Sequence, residues 1–203
     1  MFWYNNIMED EVVIQEKNKL SELQGTIDSL RKEISSLKEE NKRLQEDSFI
    51  DGLTGTYNKK YLQSVELKRE LDSRFNRGEF FAVVVVDLDH LKNVNDSIGH
   101  DAGDKYIQKF TELLRGASRP YDKVIRFGGD EFVVILYGVP NDDNEVQEMC
   151  QRMRDFVEEG GCVASFGIVI STENAHNLGE MINMADKNMY VDKESRRQKN
   201  TYK

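Results

Sequence analysis

Little in this 203-residue chain serves covalent cross-linking, rigid turns or membrane insertion: it has two cysteines, two prolines and one tryptophan. Cys150 and Cys162 are too few for the disulfide framework that holds small secreted domains together, and both read as reduced, partly buried thiols without a catalytic role. No apolar run approaches the roughly 18 residues needed to span a bilayer. The apolar and aromatic start, Met1 to Met8, is too short for a signal peptide and reads as the edge of a longer chain. Positive charge is short too, since 28 lysines and arginines against 37 acids leave a net charge of -9. Phosphate-backbone binding needs a basic face, so nucleic acid is excluded as the main partner. A single mononucleotide, which needs only a few local cations, is not. There is no internal repeat or low-complexity tract. These absences point to a cytoplasmic protein without a membrane segment, built from one domain of about 150 residues and an extension.

What is present begins with a heptad. From Leu20 to Leu44, the a positions are Leu20, Ile27, Ile34 and Asn41, and the d positions are Leu23, Leu30, Leu37 and Leu44. Steps of three and four residues alternate, which is the spacing of a coiled-coil seam. Ile at a with Leu at d favours two parallel strands, and the single Asn41 fixes register because its amide is satisfied only against its counterpart. Glu33 at g and Lys38 at the following e add an interhelical pair worth roughly 0.2–1 kcal/mol at the surface. Gly25 falls at the exposed f position, where it costs up to ~1 kcal/mol of helix propensity without interrupting the seam. Residues 1–48 are therefore expected to be a dimerisation and signalling helix of a parallel homodimer.

The second feature is acid placed at strand ends. The apolar run Phe80 to Val86 closes on Asp87-Leu88-Asp89, as a buried central strand does when it releases carboxylates at its end. The run Arg126-Phe127-Gly128-Gly129-Asp130-Glu131-Phe132 sets a glycine pair and two acids between apolar segments, which predicts a hairpin with carboxylates at its tip. Gly128 and Gly129 let the backbone approach a phosphate that any side chain would obstruct. Acids at a strand end and a hairpin tip predict a metal site. Because Mg²⁺ prefers one or two carboxylates plus phosphate oxygens, they also predict a nucleoside triphosphate substrate. The surrounding pattern reads as helix 58–76, strand 80–87, helices 92–98 and 103–115, strands 121–127 and 131–137, helix 144–158, strand 162–170 and helix 178–193. A single sheet with helices on one face, in that order, predicts an α+β fold of ferredoxin-like type over residues 49–203.

Several stretches, in order, resemble the GGDEF family of diguanylate cyclases. They are Asp51-Gly52-Leu53-Thr54-Gly55 with Asn58-Lys59-Lys60, the segment Asp87 to Asp104, Gly128-Gly129-Asp130-Glu131-Phe132, and Ala185-Asp186 with Tyr190 and Lys193. The resemblance implies the palm-type version of the fold, shared by nucleotidyl cyclases and polymerases. It implies condensation of two GTP into cyclic di-GMP with loss of two pyrophosphates. Asp87, the Leu88 carbonyl and Asp130 are the implied ligands of Mg²⁺, with Mn²⁺ as the alternative, while Glu131 is a second-metal ligand or a base near the attacking hydroxyl. Lys92 is the implied phosphate contact, Asn95 and Asp104 the readers of guanine, and His100 a residue at the site's edge. Lys193 and Arg197 match the C-terminal phosphate-binding pair. Arg119-Pro120-Tyr121-Asp122, with five residues between it and Gly128, matches the RxxD site at which cyclic di-GMP inhibits its own synthesis.

The chemistry of these residues agrees with that reading. A carboxylate at 104 accepts from the ring N–H and exocyclic amine of guanine, and adenine would leave it unpaired at a cost of about 1–3 kcal/mol. Arginine at 119 can stack on guanine or grip phosphate. The chain departs from the family at Asp192, Arg196 and Gln198, where a small residue, glycine and asparagine are usual, at Leu91, which replaces an aromatic, and at Gly52 and Thr56. None of these removes a metal ligand. An idle GTP- or cyclic di-GMP-binding module acting through its coil is the alternative. A pure cyclic di-GMP receptor would keep Arg119 and Asp122 while losing acids at 87, 130 or 131, and all three acids are present. If each protomer holds one GTP, a monomer has half a site, and the coil raises the effective concentration of one half against the other.

Overall fold

The computed structural model describes residues 2–172 and 177–201, with side chains from Lys19 onward except at 21, 42, 45–47 and 199–201. The chain divides into two units, Met1–Ser48 and Phe49–Lys203. The first is a single helix, α1 (Phe2–Asp47). Its seam residues from Leu20 to Leu37 are 47–57% exposed, and Leu44 is 63% exposed. In proteins most helical stability comes from burying an apolar face, and here that face is open.

The second unit is built on a five-stranded sheet of order β1-β3-β4-β2-β5. Its strands are β1 (Tyr57–Asn58), β2 (Phe81–Leu88), β3 (Lys123–Arg126), β4 (Glu131–Tyr137) and β5 (Ala164–Ile170). Without the two-residue β1, the order β3-β4-β2-β5 is the ferredoxin-like arrangement, with β2 central and antiparallel to both neighbours. The helices are α2 (Lys59–Leu62), α3 (Val65–Asn76), α4 (Leu91–Ile98), α5 (His100–Ala117), α6 (Asp143–Glu159) and α7 (Leu178–Thr201).

Helices cover both faces of this sheet, which overturns the expectation of one covered face. Ala82, Val84, Val86 and Leu88 pack with Phe110 and Leu114 of α5 and Met153 and Val157 of α6. The alternate residues Phe81, Val83 and Val85 pack with Leu67 and Leu71 of α3 and with Met181, Ala185 and Met189 of α7. All eight residues of β2 are consequently buried, and a strand covered on both sides reads as an unbroken apolar run. The expected helix 58–76 is also split. Asn58 caps α2 by accepting from the Lys60 and Tyr61 N–H groups, and Ser64 caps α3 by accepting from Leu67 N–H. Two good N-caps inside one polar stretch start two helices.

α7 reaches Thr201, well past the expected end at 193. It lies directly on β5 at Gly167, where a Cβ would fall 2.0 Å from the Ala185 carbonyl oxygen and 2.2 Å from the Met189 nitrogen. Only glycine permits that approach of helix backbone to strand. The C-terminal half of α7 is thereby laid across the ends of β5 and β2.

Candidate active site

Sheet register brings the acids together. Asp87, near the end of β2, lies directly opposite Glu131 on β4 and Ser165 on β5. Residues directly opposite share a face, so Asp87 and Glu131 both point to the α7 side. Asp130 ends the turn before β4, and its carbonyl accepts from Leu88 N–H at 2.9 Å, which ties the hairpin tip to the end of β2. On the other side, Asp89 N–H donates to the Val163 carbonyl, and Ser165 Oγ donates to Asp89 Oδ2 at 3.0 Å.

These carboxylates are held at an electrostatic cost. Burial pushes the Asp87 carboxyl above its ordinary 3.8, the charges of Asp130 and Asp89 add to the rise, and a 2.6 Å hydrogen bond from Lys193 only partly opposes it. Glu131 is raised above its ordinary 4.5 by burial first and then by Asp130, Asp87 and Asp186. A hard cation would relieve that crowding. Among the described residues no three acid, histidine or cysteine side chains are gathered tightly enough to hold an ion unaided. The carboxylates here are oxygen ligands, which suit a hard divalent cation that would draw its remaining ligands from water and phosphate rather than from a full protein cage.

The turn between β3 and β4 is shaped around Glu131. The Phe127 and Gly128 N–H groups both donate to its carbonyl, at 2.8 and 3.2 Å. A Cβ on Gly128 would stand 2.7 Å from Glu131 Oε2, whereas Gly129 has open space about it. Gly128 therefore makes room for the glutamate, and Gly129 leaves backbone open to an incoming group. A brace not anticipated from the sequence holds the turn from behind. Arg126 donates to the Gly128 carbonyl at 3.1 Å, the Gly129 carbonyl at 2.8 Å and Asp51 Oδ1 at 3.2 Å. Burial alone would raise the Asp51 carboxyl, but hydrogen bonds from Thr54 and the Arg126 guanidinium outweigh it and hold the group below its ordinary value. The presence of Asp51 in the domain-start motif is the only sequence signal for this brace.

Beyond Asp89 the chain reverses at His90, whose φ of 68° is the one left-handed non-glycine backbone among the described residues. The reversal turns the start of α4 back toward the strand end. A cleft of about 1200 Å³ opens there, with Asp87, Leu88, Lys92, Asp130, Lys193 and Arg197 in its wall. Asn95, His100 and Asp104 lie to one side, on the α4–α5 pair. The Asn95 amide rests on Gly103, where a Cβ would collide with its Oδ1, so this glycine, the neighbour of Asp104, makes the room for Asn95.

Two other groups of expected residues behave differently from one another. Lys193 is already engaged, 2.6 Å from Asp87 and 3.9 Å from Asp89, while Arg197 is largely exposed and pairs with Glu194. At the RxxD stretch, Asp122 is a structural staple: its Oδ2 accepts from Arg119 N–H at 2.8 Å and its Oδ1 from Tyr137 N–H at 3.0 Å. The Arg119 side chain stays at the surface, donating to the Tyr121 hydroxyl at 3.0 Å. It borders a separate cavity of about 350 Å³ with Arg115 and Lys123.

Comparison with known families settles the kinship: the family described as "Diguanylate cyclase, GGDEF domain" matches residues 48–199. The chain belongs to the GGDEF diguanylate cyclase family. Among curated relatives, "Diguanylate cyclase TpbB" of Pseudomonas aeruginosa is 30% identical over 198 residues, covering 92% of this chain and 45% of that protein. "Probable diguanylate cyclase DgcC" of Escherichia coli is 40% identical over 106 residues, covering 52% of this chain and 28% of that protein. The chain spans less than half the length of these curated relatives. Among solved structures, a sensory box/GGDEF family protein from Caulobacter crescentus is 30% identical with a TM-score of 0.64, covering 72% of this chain and 99% of that one. The coiled coil and GGDEF domain of DgcB from the same organism, in complex with c-di-GMP, shares the fold at a TM-score of 0.67 and 23% identity, covering 85% of this chain and 95% of that one.

Proposed function

We propose that this GGDEF protein condenses two GTP into cyclic di-GMP and two pyrophosphates. The observation that carries the reading is the register that sets Asp87 opposite Glu131, with Asp130 locked beside them through Leu88 N–H. Each protomer holds one GTP, and the 3′-hydroxyl of each attacks the α-phosphate of the other. Asp87, the Leu88 carbonyl and Asp130 would hold Mg²⁺, which would supply charge neutralisation at the phosphates. Glu131, whose carboxyl burial and neighbouring acids raise, takes the proton of the attacking hydroxyl. Lys92 and Lys193 line the phosphate end of the cleft with Arg197, while Asn95 and Asp104 read guanine from the α4–α5 side. Positioning and electrostatics supply most of the rate, as in phosphoryl transfer generally.

The two half-sites meet because α1 pairs with its counterpart in a parallel homodimer, in register through Asn41. Product binds at Arg119, beside a turn that Asp122 keeps in shape, and inhibits. GTP as substrate puts the reaction in the cytoplasm; among the described residues no helix is long and apolar enough to cross a membrane. The test is to incubate the chain with GTP and Mg²⁺ and identify the products. Cyclic di-GMP with two pyrophosphates per molecule, and negligible product from ATP, is expected; intact GTP after long incubation refutes the reading. Removing residues 1–45 is expected to make specific activity fall steeply on dilution, and activity independent of concentration would show that another surface holds the dimer.

A further inference from the structure

Among the described residues β5 ends the sheet and its outer edge pairs with no strand, and edges of this kind are normally covered or blunted. Here two side chains one helical turn apart on α7 do the covering. Asn188 Nδ2 donates to the Ile168 carbonyl at 3.0 Å, and Asp192 Oδ2 accepts from Phe166 N–H at 3.0 Å. They straddle Gly167, where helix and strand backbones touch. The same Asp192 oxygen takes a 2.7 Å bond from Arg154 of α6, whose guanidinium stands 5.1 Å over the Phe166 ring. One turn further on, Arg196 pairs with Glu158 of α6 and approaches Asp192 at 3.5 Å. α6 and α7 pack on opposite faces of the sheet, so these bonds clasp the free edge from both sides.

The residue after Asp192 is Lys193, whose ammonium lies 2.6 Å from Asp87. Asp87 is paired across the ladder with Ser165, the neighbour of Phe166. We infer that Asp192 is a positioning residue: by fixing α7 to Phe166 of β5 and to Arg154 of α6, it sets where the Lys193 ammonium stands over the acid edge. Its neighbours make the assignment specific. Phe166 N–H, Arg154 and Arg196 all converge on one carboxylate oxygen, and removing that carboxylate leaves the Arg154 guanidinium, 13% exposed, without its ion-pair partner.

That Lys193 so placed would meet a GTP phosphate rests on the proposed cyclase activity, so the first readout is independent of nucleotide. In the metal-free full chain, acylation of lysines by an activated ester is followed by mass spectrometry for Asp192→Ala and Asp192→Asn. Lys105 on α5 is the exposed reference, and maleimide labelling of buried Cys162 reports whether the domain stays folded. Lys193 should be modified at least about fivefold faster in Asp192→Ala, the factor expected for loss of roughly 1 kcal/mol of pairing, with Cys162 still protected. Asp192→Asn keeps the size and an acceptor for Phe166 N–H, and decides the matter if the alanine variant does not fold. Wild-type reactivity of Lys193 in the folded variants overturns the inference, as does a parallel rise at Cys162, which would make Asp192 merely structural. GTP affinity then completes a double-mutant cycle. Asp192→Ala should add no loss in a Lys193→Ala background, and additive losses would separate the two residues. A wild type that binds no GTP would sink the cyclase reading, while the labelling rates would still decide whether Asp192 positions Lys193.

Discussion

The acid edge and the RxxD turn are made of the same groups, carboxylates beside cationic side chains, in opposite states of satisfaction. At the turn the carboxylate is committed to the fold: Asp122 holds two backbone N–H groups, one of them on buried Tyr137. At the acid edge Asp87 and Glu131 are raised by burial and by neighbouring acids, Asp130 beside both of them, and Lys193 answers only Asp87. A charge that is satisfied stabilises structure, and one left wanting is available for a ligand. The contrast also separates two residues that one motif names together. Asp122 builds the turn, and Arg119 is what the turn presents.

The largest expected difference between the regions is catalytic. Asp130→Ala should lower turnover at least about a hundredfold, ~2.7 kcal/mol of transition-state stabilisation, with the fold retained. Steady-state rates together with circular dichroism check this, and near-wild-type turnover would dissolve the contrast. At the turn, Arg119→Ala should leave initial rates unchanged but relieve product inhibition by roughly 5- to 150-fold, the range of ordinary coupling energies. Progress curves in which wild type and variant stall alike would make Arg119 an ordinary surface group. Asp122→Ala should act on stability instead. It orphans the Tyr137 N–H inside the sheet, a loss of about 1–3 kcal/mol, whereas Arg119→Ala should stay within ~0.5 kcal/mol in urea titrations.

Which of these features can be read in the sequence follows from how far apart their parts lie. The helix over the heptad, the apolar run of β2 and the Gly128-Gly129 hairpin are local patterns, and each lies where periodicity and turn chemistry put it. The split at Gln63–Ser64 is also written locally, in the caps Asn58 and Ser64, but an amphipathic stretch of that length reads as one helix. The covering of both faces is visible only as the absence of alternation in β2. Arg126 with Asp51 and Asp192 with Phe166 are pairings of residues distant in the chain, with no period to betray them. Lys193 stands out by family resemblance, but its grip on Asp87 depends on the register of α7 over Gly167, which no motif states.

The contrast turns on whether the acid edge is kept in an unfavourable state for the sake of function, and Glu131→Gln tests that most directly. Burial and neighbouring charges raise the folded carboxyl above its unfolded value, so the native state binds more protons and stability falls as pH rises through and above the ordinary 4.5. The neutral, near-isosteric glutamine removes that penalty. Thermal unfolding of the metal-free chain between pH 4 and 7.5, measured beside turnover, is expected to show a variant that is more stable than wild type at neutral pH, by roughly 2–4 °C for each kcal/mol gained, with a flatter pH slope and collapsed activity. A variant less stable than wild type at neutral pH, or one that keeps its turnover, would contradict a strained, functional acid edge.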